Sequence, residues 1–161
     1  MRIKQGTMAI LVVAILLGTI GIASAAGLYV TKKGEGGGKT LPPAGEATPQ
    51  DIKGSFTFGT VASAFDIPLA DFGTAFRIPA GTSVASFQLK NLESLGLAGN
   101  DGREIGVSSV RWFVALYKGL DYVPSESAGL TPEAVALLLE KAPLDDTDRA
   151  KLEALGADGG N

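Results

Sequence analysis

The residues best equipped for chemistry are Arg111, Trp112, Tyr117, Lys118 and Tyr122, aromatics and cations gathered along one predicted helix and its exit. Aromatic side chains bury large areas at low entropic cost, which makes them interface anchors, and arginine often accompanies them. The ordinary role of such a cluster is core packing. The sharper expectation is a partner-binding patch, with Trp112, Tyr117 or Tyr122 partly exposed and Arg111 and Lys118 meeting an acidic protein. Other chemistry is narrowed by two absences, since the chain contains no histidine and no cysteine. Disulfides, thiolate zinc sites, c-type haem attachment, ordinary iron–sulfur ligation and a cysteine nucleophile are thereby excluded. Histidine's absence removes the commonest general base and the commonest metal ligand. Ser108, Ser109, Ser125 and Ser127 have no histidine to activate them. No catalytic residue, cofactor or metal site is expected.

Three motifs fall to simpler explanations. Asp145-Asp146-Thr147-Asp148 is acidic enough to suggest calcium, but Lys151 stands at the sixth loop position counted from Asp146, where glycine is required. Acids in a first helical turn complement the helix dipole, which accounts for them. Gly34–Thr40 (GEGGGKT) resembles part of a phosphate loop, yet Lys33 occupies the position of its first glycine and Pro42-Pro43 forbid the following helix. The third motif, Thr57–Phe76, matches a helix-turn-helix in outline. Its second helix offers no arginine, lysine, asparagine or glutamine to base edges, and in a DNA-binding version Asp71 would face phosphate, so the motif is read as a packing solution. Residues 50–161 hold nine basic and fifteen acidic residues, a net charge of −6, which also disfavours nucleic acid.

The elements that must position these residues are helical. Phe58, Val61, Ala62 and Phe65 follow helical spacing over Phe58–Phe65, capped by Thr57 or Ser55. Ile67-Pro68 separates this segment from Leu69–Phe76. Val84–Leu95 is read as a helix from Leu89, Leu92 and Leu95, although Phe87-Gln88-Leu89 also suits extended chain. Residues 96–106 form a loop turning at Asn100-Asp101-Gly102. Ser108 or Ser109 is expected to cap Val110–Lys118, and Gly119 to close it. Thr131-Pro132-Glu133 starts Pro132–Lys141, and Asp145 and Asp146 start a last helix ending at Gly156. The expected fold is all-α, a small multi-helix domain opening with a helix-turn-helix-like pair. Its expected core is Phe65, Phe72, Phe76, Phe113, Leu116, Val135, Leu138 and Leu139.

Ahead of this domain, Met8–Val30 carries no charge and no proline over 23 residues. As a helix it measures about 34 Å, enough to cross a hydrocarbon core of about 30 Å. Residues 1–7 form a basic n-region with Arg2 and Lys4. Ala23-Ser24-Ala25 has signal-peptidase spacing, so a signal peptide ending at Ala25 competes with a retained transmembrane anchor over residues 8–30. The anchor is preferred because its apolar length exceeds a signal core, with Tyr29, Lys32 and Lys33 as its water-side flank. Residues 31–49 read as a flexible Gly/Pro linker, 50–156 as an exported helical domain, and 157–161 as a disordered tail. The expected placement is a single-pass membrane protein, with N-terminus cytosolic and domain extracytoplasmic.

Ile52-Lys53-Gly54-Ser55-Phe56-Thr57-Phe58-Gly59, Val61-Ala62, Ile67-Pro68-Leu69 and Phe76-Arg77-Ile78-Pro79 carry a resemblance. The stretch 51–79 resembles a small exported helical domain attached to prokaryotic membrane four-iron–four-sulfur, ferredoxin-like redox proteins. The chain differs from those proteins in lacking the cluster cysteines and the polytopic membrane part. The resemblance therefore implies a helical domain and an association with a membrane redox complex, without redox chemistry of its own. The expected function is a membrane-anchored, non-catalytic domain that binds or positions a protein partner, with no nucleic acid involved. Two alternatives belong to other classes: a membrane-tethered regulator using Thr57–Phe76 with a cytosolic C-terminus, and a carboxylate-only cell-envelope enzyme.

Overall fold

A computed structural model describes residues 40–158. The expectations on the n-region, the Met8–Val30 span, residues 31–39 of the linker and the last three residues lie outside the described residues. The described part is helical, with five α-helices, four short 3-10 helices and two isolated β-bridges. The α-helices are α1 (Phe58–Phe65), α2 (Leu69–Ala75), α3 (Val107–Lys118), α4 (Pro132–Lys141) and α5 (Asp146–Asp158). Among the described residues no helix is long and apolar enough to cross a membrane.

The first pair forms because its ends are well specified. Thr57 caps α1, its Oγ1 accepting the Thr60 amide at 3.2 Å. Asp66 ends α1 in the left-handed region at φ 50°, a conformation asparagine and aspartate tolerate better than most residues. Ile67 is buried, and Pro68 caps α2. Thr131 caps α4 by accepting the Ala134 amide at 3.0 Å, and its hydroxyl also donates to the Ala75 carbonyl. One buried threonine thus joins the start of α4 to the end of α2.

The core is a phenylalanine cluster closed by aliphatics. The Phe58 ring lies 5.1 Å from Phe72 and 5.4 Å from Phe76, centroid to centroid. Phe113 from α3 meets Phe72 at 5.6 Å and Phe76 edge-on at 5.5 Å. Such separations favour tilted and edge-to-face aromatic pairs. Of the expected core residues, all but the half-buried Leu139 are buried. Ile52, Leu89, Leu92, Ile105, Leu130 and Leu152 join them. Gly59 sits where the 3-10 turn Val84–Ser86 crosses α1. A Cβ there would lie 2.6 Å from the Ala85 carbonyl oxygen, so glycine is needed for the approach.

Five boundaries differ from the sequence reading, the smallest being the end of α2 at Ala75, with Phe76 as its C-cap. Val84–Leu95 is three 3-10 turns, Val84–Ser86, Leu89–Asn91 and Glu93–Leu95, rather than one helix. Strict three-residue spacing of Leu89, Leu92 and Leu95 suits a 3-10 turn, and Gln88 is held in an antiparallel bridge to Thr57. Helix α3 starts at Val107 with Gly106 as its cap, and Ser109 lies inside it, its Oγ accepting the Gly106 amide at 3.3 Å. Helix α5 runs two residues beyond Gly156. The folded part also begins ahead of Gln50, because Leu41 and Ala47 pack against the core and Pro49 is buried.

Candidate functional site

The five candidate residues do not form one patch; the pitch of α3 and the loop after it send them to four places. Arg111 points to the end of the 3-10 turn Pro49–Asp51, where its Nε and Nη2 donate to the Ile52 carbonyl at 2.9 and 2.6 Å. The Ile52 side chain is fully buried, so this guanidinium satisfies a carbonyl at the edge of the core. Two of its donors thus serve an internal carbonyl, which leaves the guanidinium charge itself uncancelled. Lys118, one residue before the Gly119 C-cap, is exposed.

Tyr117 turns its hydroxyl inward. It donates to Asp71 Oδ2 at 2.6 Å, while the Lys141 ammonium donates to Asp71 Oδ1 at 2.8 Å. Asp71 is 5% exposed, so its carboxylate needs both partners. The three side chains link α2, α3 and α4. Burial pushes the Tyr117 phenol up to about 12, reinforced by its hydrogen bond to Asp71 and by the carboxylate charge. The hydrogen bond to Asp71 also raises the Lys141 ammonium above its ordinary value. Asp71 therefore does not face solvent, because its position on α2 puts it against α3 and α4.

Trp112 and Tyr122 do come together, on one hollow of about 320 Å³. Ala115 and Leu116 from α3, with Leu120 and Pro124 from the following loop, supply its apolar lining. Asp121 from the same loop, and Asp148 and Lys151 from α5, supply charge. Trp112 and Tyr122 are each half-buried, and Leu120 is 40% exposed. Val123, between the lining residues Tyr122 and Pro124, is 89% exposed. The loop follows the Gly119 cap, whose left-handed φ of 62° turns the chain off α3. Asp145 Oδ1 accepts the Asp148 amide at 2.7 Å, which fixes the first turn of α5 beside the loop.

A smaller hollow of about 120 Å³ lies at the start of α3, lined by Glu93, Glu104 and Ser127 among others. Among the described residues no group of three acids, histidines or cysteines is placed to hold a metal ion.

Sequence reasoning missed the partners of these residues rather than the residues themselves. Asp71 and Lys141 are 70 positions apart, and Trp112 and Asp148 are 36 apart. Only tertiary packing joins them. The residues that carry the family resemblance turn out to be core and cap: Ile52, Phe58, Val61, Ala62 and Ile67 are buried, and Thr57 caps α1. Comparison with family models, curated proteins and solved structures gives no match for the chain.

Proposed function

We propose that this chain is a membrane-held, non-catalytic binding module. In this reading Met8–Val30 anchors it, and the helical domain stands outside the cytoplasm and presents the Trp112–Tyr122 hollow to a protein partner. The observation that carries the reading is the exposure of apolar side chains around that hollow. Val123 at 89% exposure and Leu120 at 40% flank two half-buried aromatics. Water-exposed apolar groups gathered beside aromatics are a common signature of a docking surface. The resemblance over residues 51–79 supports a membrane electron-transfer complex as the partner.

Affinity capture of the tagged full chain tests this. Membranes are washed at alkaline pH, solubilised in a mild non-ionic detergent and passed over resin. The chain is expected to survive the wash and to bring a second protein in fixed proportion, with iron–sulfur absorbance in the eluate. Release by the wash, or recovery of the chain alone, contradicts the reading.

A further inference from the structure

We propose that the Trp112–Tyr122 hollow receives a lysine or arginine side chain of the protein partner. This rests on the partner-binding reading above and specifies the chemistry the partner must bring. The volume, about 320 Å³, lies at the small end of ligand sites, a scale suited to one amino-acid side chain. Lysine and arginine need two environments, an apolar one for the methylene stem and an anionic one for the head. Leu116 and Pro124 offer the first, and the Asp121 and Asp148 carboxylates offer the second. Trp112 and Tyr122 add the π systems that attract cations.

The hollow already contains a weak version of this arrangement. Lys151 Nζ lies 3.4 Å from Asp148 Oδ1, and the Lys151 side chain is 63% exposed. Charge-assisted hydrogen bonds of this type are ordinarily about 2.7–2.9 Å. The internal ion pair is therefore loose, and an incoming cation can replace it. Charge complementarity sets the sign of the partner: residues 50–161 carry nine basic and fifteen acidic residues, a net charge of −6. Arg111, the cation nearest Trp112 in sequence, is committed to the Ile52 carbonyl.

Trp112 is the only tryptophan in the chain, so its fluorescence reports the hollow directly. The full chain in non-ionic detergent is titrated with N-acetyl-arginine methylamide and with its uncharged isostere, N-acetyl-citrulline methylamide. A saturable change with the arginine probe is expected, with citrulline about fivefold weaker or more. Asp121→Asn and Asp148→Asn each weaken binding, and Lys151→Gln strengthens it by removing the competing internal cation. A gain of binding cannot come from misfolding, and thermal midpoints check the two losses. No saturable response overturns the proposal, as does equal binding of both probes, which marks a purely apolar site. Undiminished partner capture by the Asp121→Asn, Asp148→Asn double variant overturns this site and leaves the partner reading standing. An arginine response in a chain that captures no protein supports the cation chemistry and overturns the partner reading.

Discussion

Tyr117→Phe isolates one hydroxyl and tests whether Asp71 pins three helices together. The ring keeps its place in the packing, where it lies 5.6 Å from Phe113, so the substitution opens no cavity. What it removes is the donor at 2.6 Å from Asp71 Oδ2. Asp71 is 5% exposed, so water does not readily replace that donor. Hydrogen bonds to charged groups contribute about 1.5–3 kcal/mol, and the loss should fall in that range. For a domain of this size it corresponds to a fall of roughly 5–12 °C in thermal midpoint. Denaturant unfolding followed by circular dichroism and Trp112 fluorescence measures it at pH 7. Asp71→Asn and the double variant complete a cycle in which the coupling between the two sites should exceed about 0.5 kcal/mol. The pH dependence has a fixed sign. Tyr117 is raised in the folded state from 10.0 to about 12, so the folded chain holds this proton more tightly than the unfolded one. The associated stability is whole below pH 10 and is lost as pH rises towards 12. Lys141 is raised as well, so its contribution is lost in the same direction. Tyr117→Phe should flatten the tyrosine share of this alkaline loss. A variant within about 0.5 kcal/mol of the parent, with an unchanged alkaline profile, would refute the pin.

Phe72→Ala removes a ring that is fully buried between Phe58 and Phe113, and it should cost about 3–5 kcal/mol by denaturant unfolding. Gly59→Ala should destabilise the fold despite the better helix propensity of alanine, because its Cβ meets the Ala85 carbonyl at 2.6 Å; a stabilised variant would mean the 84–86 turn moves freely. The Arg77 guanidinium, 2.7 Å from Glu133 Oε2, holds the Glu133 carboxyl below its ordinary value. Its stabilising share is present above pH 4.5 and fades as pH falls through the lowered value, so Glu133→Gln should reduce the acid sensitivity of unfolding slightly.

How legible the chain was depends on what kind of interaction each feature uses. Helices α1 and α4 were readable to the residue because Thr57 and Thr131-Pro132 are local signals that act on the next turn of chain. In the 84–95 segment the extended alternative at Phe87-Gln88 holds, with Gln88 bridged to Thr57, while the helix reading fails because leucines three apart satisfy one face of an α-helix and a series of 3-10 turns alike. The aromatic cluster on α3 was visible, but its division was not. A helix alternates faces within a few residues, so Tyr117 reaches Asp71 while Trp112, five positions earlier, reaches the hollow. Asp148 reads as an acid of a first helical turn, a role that the cap at Asp145 supports, and Asp71 only as an acid on the second helix of a helix-turn-helix outline. Nothing in the local sequence distinguishes the acid that becomes buried from the one that edges a hollow.

Site-specific photo-crosslinking from position 123 tests the central claim most directly, because Val123 is 89% exposed and sits between two residues that line the hollow. The full chain carrying the crosslinker is irradiated in intact cells, and the washed membranes are analysed by mass. The account predicts a dominant adduct with one membrane-associated protein, crosslinked through a segment rich in lysine or arginine. An uncrosslinked chain, or a chain recovered entirely in the soluble fraction, would contradict it.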